Sequence, residues 1–417
     1  MQRFTIDRAG PALLTRARGA WPPEIGSTLD MAWMARWLFF AVALLAANLP
    51  AWAQDPVPQF QTKATHAVLI DSETGTVLYD KASDTPFAPA AMAKIMTMLV
   101  VFDQLAAGKI KLSDRFTVSE HAWRTGGAPS GSATMFAAIK SEIAVSDLMR
   151  GVIVQAGNDA CLILAEGIAG SEQAFVQLMN EKARALGMTG SVFTNVTGFE
   201  DPNQKVTARD LARLADHVIK TYPELYRIYS QPDFTWNDIF QRNRNPLLGM
   251  GIGADGLSTG YTEASGYSLV GSVVRNGHRV IVVVSGLGSE ADRATEARRL
   301  IDWGYSAYER VRFFDAGEAI GEVRVYGGAS GRIPVGTRAP LELLLLRGTR
   351  EQVRARLVYR GPVEAPVKAG QEVGMVRIFV DDVLSQEQPV YALSDLPEGT
   401  MTQRALDAVG ELLLGWW

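Results

Sequence analysis

Cysteine is almost absent from this chain, since Cys161 is the only one among 417 residues. A single thiol cannot form a disulfide within the chain, and it excludes a metal site built from several thiolates. No two histidines have the spacing of a helical metal site; they are His66, His121, His217 and His278. We therefore expect neither a metal nor another cofactor.

The chain also has no large excess of positive or negative residues, and its formal net charge is −4. A clustered basic surface for nucleic acid is therefore not expected. Fixed-period repeats and low-complexity tracts are not visible either. With 47% apolar residues the chain can bury a large core, and its length favours more than one domain.

The N-terminal region has the features of an export signal. Met34-Ala-Arg36 gives a short positive start, residues 37–47 are uncharged and apolar, and Ala51-Trp52-Ala53 fits signal peptidase. The alternative is a membrane anchor, but the run is shorter than the roughly 20 residues that span a bilayer. We predict a signal peptide over 34–53 and an exported, periplasmic protein. Residues 1–33 fit this poorly and are interpreted as a mis-assigned or non-native extension, with the true start at Met31 or Met34.

Hydrophobic periodicity predicts an α+β domain over residues 60–315. His66–Ile70 and Val77–Tyr79 read as a hairpin, and helical patterns follow from Ala91 to Thr221. Strands are then expected over Tyr267–Val274 and Arg279–Ser285, joined by an Asn-Gly turn, before a helix over Arg293–Tyr308.

The last part of the sequence predicts a different kind of domain. Residues 319–395 contain short alternating strands separated by Gly and Pro, which is typical of a small β-sandwich-like module. Residues 400–417 form an amphipathic helical pattern that ends in two tryptophans. This helix is expected either to lie in a membrane interface, outside the inner membrane, or to pack on the β-rich module.

Three short segments have surroundings suited to acyl-transfer chemistry. In Pro89-Ala-Ala91-Met-Ala-Lys94, residues 91 and 94 lie one helical turn apart, and the N–H of residue 91 could stabilise an oxyanion. A serine at 91 with Lys94 as its base would be a Ser-x-x-Lys arrangement, but residue 91 is alanine. The other segments are Gln155–Ala160 and Asp255–Gly260, where Gly260 lets a substrate backbone approach the strand.

These segments carry a family resemblance. The chain resembles the serine-type D-alanyl-D-alanine carboxypeptidases, which are the low-molecular-mass penicillin-binding proteins. The likeness spans nearly all of residues 60–417 and rests on Glu73–Tyr79, Pro89–Thr97, Gly157–Ala160, Asn245-Pro246 and Asp255–Val270. It implies a penicillin-binding-protein or β-lactamase-like domain, followed by a β-rich domain, and the trimming of peptidoglycan stem peptides through an acyl-serine intermediate.

The family pattern Ser-x-x-Lys, Ser-x-Asn and Lys-Thr-Gly is altered at each active side chain. By this resemblance Ala91 stands in the place of the nucleophile, Ala156 in the place of the second serine, and Ser258 in the place of the substrate-binding lysine. The resemblance also implies a base at Lys94 and a retained amide at Asn158. Substrate contacts are implied at Thr259, Gly260 and Arg293.

We therefore predict that the chain is not an enzyme but an inactive member of the family. It would bind peptidoglycan stem peptide or a wall-synthesis protein, with peripheral membrane contact through residues 400–417. Two alternatives stay open, which are a genuine carboxypeptidase carrying active-site substitutions and a structural or adhesion module of the envelope.

Overall fold

The computed structural model of the protein describes residues 2–6, 60–348, 353–380 and 382–405. The predicted signal peptide lies outside the described residues, as do most of the extension over 1–33 and most of the terminal helix over 400–417. Residues 401–405 of that helix are described and are helical. No helix among the described residues is long and apolar enough to cross a membrane.

The chain divides into two compact units between Glu309 and Arg310. One unit runs from Gln59 to Glu309, and the other contains the chain from Arg310 onward together with the N-terminal strand β1 (Gln2–Ile6). Each unit has its own cluster of buried apolar side chains.

The first unit is built on one five-stranded antiparallel sheet with the order β3-β2-β10-β9-β8. Two small hairpins, β4–β5 and β6–β7, lie outside this sheet. The strands of this unit are β2 (His66–Asp71), β3 (Val77–Lys81), β4 (Arg115–Thr117), β5 (Glu142–Ala144), β6 (Asp233–Trp236), β7 (Ile239–Arg242), β8 (Ala254–Thr262), β9 (Gly266–Arg275) and β10 (His278–Leu287).

The helices of this unit fall between β3 and β6, apart from the last one, which follows β10. They are α1 (Lys94–Ala106), α2 (Glu120–Gly126), α3 (Val145–Ile153), α4 (Asn158–Ala169), α5 (Glu172–Ala185), α6 (Ala208–Thr221), α7 (Pro223–Tyr226) and α8 (Glu290–Ala307). Four short 3₁₀ helices occupy Ala90–Ala93, Ala128–Ser130, Arg227–Ser230 and Pro246–Met250.

Side chains of successive residues along the central strands point to opposite faces of the sheet, and both faces are buried. Val68, Ile281 and Val283 belong to the large core that includes the inner helices, whereas Leu69 contacts Gly304 of α8 on the opposite face. Successive strand residues point to opposite sides, so a run of buried residues indicates a sheet that is covered on both. The predicted α+β fold is confirmed.

The predicted hairpins and helices are found with small shifts at their ends. Asn276 and Gly277, with φ of 52° and 80°, join β9 to β10, as the tight turn requires. The closing helix begins at Glu290, earlier than the predicted Arg293, because the Ser289 side chain accepts a hydrogen bond from the N–H of Asp292.

The second unit is β-rich, as predicted. Its main sheet has the order β1-β15-β17-β18-β13-β12-β16, and β11 pairs separately with β14. The strands are β11 (Tyr308–Phe314), which begins two residues before the unit boundary, β12 (Gly321–Tyr326), β13 (Arg332–Gly336), β14 (Leu341–Leu346), β15 (Val353–Tyr359), β16 (Val363–Glu364), β17 (Glu372–Val380) and β18 (Val383–Ala392).

Candidate active site

The segment that carries Ala91 forms a turn of 3₁₀ helix immediately before α1. The backbone N–H of Lys94 bonds to the carbonyl of Ala91, which closes that turn. Side chains three residues apart eclipse each other in 3₁₀ geometry, so the stem of Lys94 follows the direction of the Ala91 methyl group. The predicted placement of these residues on one face therefore agrees with the backbone.

Two glycines fit closely against this turn. A Cβ atom on Gly198 would lie 1.9 Å from the carbonyl oxygen of Ala90, and one on Gly260 would lie 2.9 Å from the Ala90 Cβ. Neither position has room for a larger residue unless the backbone moves. The start of α1 is thus fixed between the loop at Gly198 and strand β8.

Lys94 is buried beneath the site, with 5% of its surface exposed. Its Nζ donates a hydrogen bond of 2.5 Å to the backbone carbonyl of Thr197. Burial lowers the pKa of the Lys94 amine, and the positive charge of Arg244 lowers it further, while Cys161 and Asp159 act in the opposite direction.

The second segment connects α3 to α4. Ala156 has a left-handed backbone with φ of 56°, and Asn158 is the first residue of α4. The Asn158 side chain donates a 3.0 Å hydrogen bond to Ser132 Oγ, while its own carbonyl oxygen, Oδ1, is buried and has no protein partner. A buried amide oxygen without a partner indicates a position where a ligand or water would complete the site.

The third segment lies within strand β8, at the edge of the five-stranded sheet. Ser258 is half-buried, and its Oγ is 3.4 Å from the carbonyl oxygen of Ala91, which it can contact only weakly. Thr259 and Gly260 are buried beside it. All three segments therefore meet at the start of α1.

Arg293 projects from the first turns of α8 and is 7% exposed. Its guanidinium carbon lies 5.7 Å from the centre of the Tyr267 ring, and one nitrogen lies 3.6 Å from a carboxylate oxygen of Glu290. Its Nε is buried without a protein partner. Burial lowers the pKa of Arg293, although the nearby Glu290 opposes this shift.

A cleft of about 650 Å³ brings these elements together. Five of the predicted site residues line it, and they are Ala91, Ala156, Thr259, Gly260 and Arg293. Lys94, Asn158 and Ser258 are not among the lining residues; Lys94 and Asn158 are each 5% exposed, and Ser258 is half-buried. The other lining residues are Ala133, Gln241, Arg242, Asn243, Arg244, Pro246, Tyr261 and Glu290.

The hairpin β6–β7 and the residues after it form a wall of the cleft that the sequence analysis missed. The Gln241 side chain donates to the carbonyl of Thr134 at 3.1 Å, and Arg244 Nε donates to the carbonyl of Gln155 at 3.0 Å. Gln155 in turn donates to the carbonyl of Phe234 at 3.0 Å. These bonds attach the hairpin and the residues after it to the loop at Thr134 and to the start of the second segment.

Asp159 holds one of those loops in place. Its buried carboxylate accepts hydrogen bonds from Thr134 Oγ1 at 2.6 Å and from the N–H groups of Met135 and Ala137 at 2.9 and 3.0 Å. A carboxylate with several donors stabilises a loop that has no regular structure of its own. Among the described residues, no group of three or more His, Cys, Asp and Glu side chains could hold a metal ion.

Comparison with known proteins finds a matching family profile for each unit of the chain. A family profile described as D-alanyl-D-alanine carboxypeptidase matches residues 52–289, and one described as penicillin-binding protein 5, C-terminal domain, matches residues 308–398. The D-alanyl-D-alanine carboxypeptidase DacC of Escherichia coli is 36% identical over 82% of this chain and 86% of its own length.

Solved structures and other relatives agree with this result. Penicillin-binding protein 5 from Haemophilus influenzae superposes with a TM-score of 0.70 at 36% identity, covering 81% of this chain and 99% of that structure. A shorter D-alanyl-D-alanine carboxypeptidase from a Streptomyces strain is 27% identical over 63% of this chain and 95% of its own length.

The prediction that the chain is not an enzyme is wrong by these comparisons. DacC, and a DacA from Haemophilus influenzae that is 38% identical over 77% of this chain, are both named as carboxypeptidases. The prediction rested on three side chains, whereas the likeness extends through both units. Residue 91 is alanine all the same. An acyl ester cannot form at that position, because alanine has no nucleophilic atom.

Proposed function

Because this chain belongs to the D-alanyl-D-alanine carboxypeptidase family, we propose that its cleft recognises the D-alanyl-D-alanine end of peptidoglycan stem peptides in the periplasm. The observation that carries the proposal is a buried, incompletely bonded Arg293 that lines a cleft beside the edge strand β8. A guanidinium group suits a terminal carboxylate, and an edge strand offers backbone groups to an extended peptide.

The described side chains give each part of such a peptide a partner. Its terminal carboxylate would meet Arg293 and the Thr259 hydroxyl, and its backbone would lie along β8, where Gly260 leaves space. The unpaired Oδ1 of Asn158 is buried and is not part of the cleft lining, so a bridging water would connect it to the peptide. The carbonyl that is attacked in the family's reaction would lie near Ala91.

The experiment compares two peptides that differ only in the last stereocentre, one ending in D-alanyl-D-alanine and the other in D-alanyl-L-alanine. Binding is measured by calorimetry, and release of free alanine is measured in the same samples. We expect the first peptide to bind at least tenfold more tightly, and Arg293→Gln to weaken it by tenfold or more, because a charge-assisted contact contributes roughly 1.5–3 kcal/mol. Equal affinity for the two peptides would contradict the proposal.

A further inference from the structure

Positive charge is concentrated on the cleft beyond what one terminal carboxylate requires. Among the residues that the structure describes, three arginines line the cleft, Arg242, Arg244 and Arg293, and one acidic residue does so, Glu290. We infer that Arg242 binds a second negative charge, carried by the substrate on the N-terminal side of its D-alanyl-D-alanine. This inference rests on the proposed function and concerns the same site.

The three arginines differ in what already holds them. Arg293 is buried and faces Glu290 at 3.6 Å. Arg244 is exposed, but its Nε is bonded to the carbonyl of Gln155. Arg242 is exposed, and within the described parts of the chain no carboxylate lies within 4.0 Å of its guanidinium group.

The nearest candidate within the hairpin does not neutralise Arg242. Asp233 lies directly opposite Arg242 in the register of β6 and β7, where a cross-strand ion pair could form. Arg242 instead lines the cleft, Asp233 does not, and no ion pair joins the two residues in the part of the chain that the structure describes. Arg242 therefore presents an uncompensated charge to whatever enters.

The residues close to Arg242 in the sequence are attached to other parts of the first unit. Its neighbour Gln241 is bonded to the carbonyl of Thr134, and Arg244 is bonded to the carbonyl of Gln155. The residue thus stands between two anchored positions on the wall of the cleft. Such attachment limits movement of the backbone at Arg242, so less ordering of that backbone is required on binding.

The position of the second negative charge in the substrate follows from the structure of the peptide. A peptide that ends in D-alanyl-D-alanine has its terminal carboxylate at one end, and every other acidic group must be on the N-terminal side. A guanidinium group binds a carboxylate through two parallel N–H donors, which gives orientation as well as charge. Because Arg242 is exposed, its contribution should weaken as salt concentration rises.

The test uses the full chain and two synthetic peptides that both end in D-alanyl-D-alanine. The residue before that pair carries a free side-chain carboxylate in one peptide and the corresponding amide in the other. We expect the unchanged chain to bind the acidic peptide about five- to tenfold more tightly at low salt. Arg242→Gln should abolish this preference and leave affinity for the neutral peptide unchanged within about twofold, whereas Arg242→Lys should keep part of it.

Arg227→Gln is the matched control, because Arg227 is an exposed arginine that is paired with Glu224 and does not line the cleft. It should leave the preference intact. The inference is overturned if the unchanged chain binds both peptides equally, or if Arg242→Gln keeps the preference for the acidic one. Failure of both peptides to bind would instead contradict the proposed function, so the two failures are distinguishable.

Discussion

At the scale of single residues, the methyl group of Ala91 marks the point where the chemistry of this family would begin. Restoring a serine there is the most direct change, together with Ala156→Ser and Ser258→Lys, since the family pattern has active side chains at all three. Losing a serine nucleophile costs on the order of 10⁶-fold in turnover in a serine protease. We expect the triple variant to gain a route of D-alanine release through an acyl ester at residue 91, which a coupled D-alanine assay measures as turnover added to that of the unchanged chain.

The control for that variant is the double change Ala156→Ser and Ser258→Lys, which lacks a hydroxyl at residue 91. Fluorescent penicillin should label the triple variant covalently, with a band that survives denaturation, and should not label the double one. If the unchanged chain gave the same covalent band, the nucleophile would have to be a residue other than 91.

Lys94 supports a second prediction at this scale, which concerns pH. Burial lowers the pKa of its amine below the ordinary 10.5, so the unfolded chain binds more protons than the folded chain between the two values. The folded state therefore gains stability as pH rises through that window. We expect the free energy of unfolding of the unchanged chain, minus that of Lys94→Met, to increase from neutral pH toward 10.5.

The Lys94→Met variant is the control, because every other titrating group is present in both chains and its contribution cancels in the difference. It also leaves the Thr197 carbonyl without a donor, but that cost is the same at every pH. Denaturant unfolding at a series of pH values gives both curves. A difference that stays flat, or that falls as pH rises, would show that the amine is not depressed in the folded chain.

Most residues of the site could be predicted because they belong to short contiguous motifs, whereas Arg293 was predicted only from the family resemblance. Ala91 and Lys94 are one turn apart in the sequence, so local geometry alone places them together. Asp159 and Arg242 gave no such signal, because their contacts join positions that are far apart along the chain. Asp159 bonds to a loop 22 to 25 residues earlier, and the importance of that loop is apparent only in the folded chain.

At the scale of elements, the start of α1 depends on the close approach of the loop at Gly198. Gly198 has φ of 85°, and a Cβ atom there would lie 1.9 Å from the Ala90 carbonyl oxygen. We expect Gly198→Ala to lower the free energy of unfolding by at least about 2 kcal/mol, because it adds a backbone collision to the strain of a left-handed conformation. The same change should also disturb ligand binding, which calorimetry with the D-alanyl-D-alanine peptide measures.

Gly277→Ala is the matched control for this prediction. Gly277 has a similar φ of 80°, but nothing lies within 4 Å of the Cβ position. It should cost only the backbone strain, about 1 kcal/mol. If both variants melted at the same temperature, the contact between Gly198 and the helix start would not constrain the site.

Elements with a regular apolar period were predictable, and the hairpin β6–β7 was not. The buried strands β9 and β10 carry runs of valine around an Asn-Gly turn, so their pairing is visible in the sequence. The hairpin has exposed residues on both faces, including Phe240 at 57% exposure, so no alternation marks it. Its turn at Asn237 and Asp238 uses positive φ at both residues, a weaker signal than Asn-Gly.

At the scale of the whole molecule, the two units differ in how they are held together. The core of the first unit joins the sheet to the helices, and the core of the second is formed by strands and their connecting loops. The sequence predicts this change of character between residues 315 and 319, where the α+β domain ends and the module of short strands begins. Its exact position depends on packing between distant residues, which no local pattern records.

Separate cores lead to a prediction about the first unit alone. We expect a chain of residues 59–309 to fold by itself, with one cooperative thermal transition, and to bind the D-alanyl-D-alanine peptide within about twofold of the full chain. All residues that line the cleft lie between Ala91 and Arg293. The Streptomyces relative supports this, because 95% of its length aligns with only 63% of this chain. Calorimetry on both chains, with circular dichroism to follow folding, makes the comparison.

Two outcomes would contradict this prediction. A truncated chain that folds cooperatively but does not bind the peptide would show that the second unit contributes to recognition. A truncated chain that stays unfolded would show that the core of the first unit is not sufficient for folding.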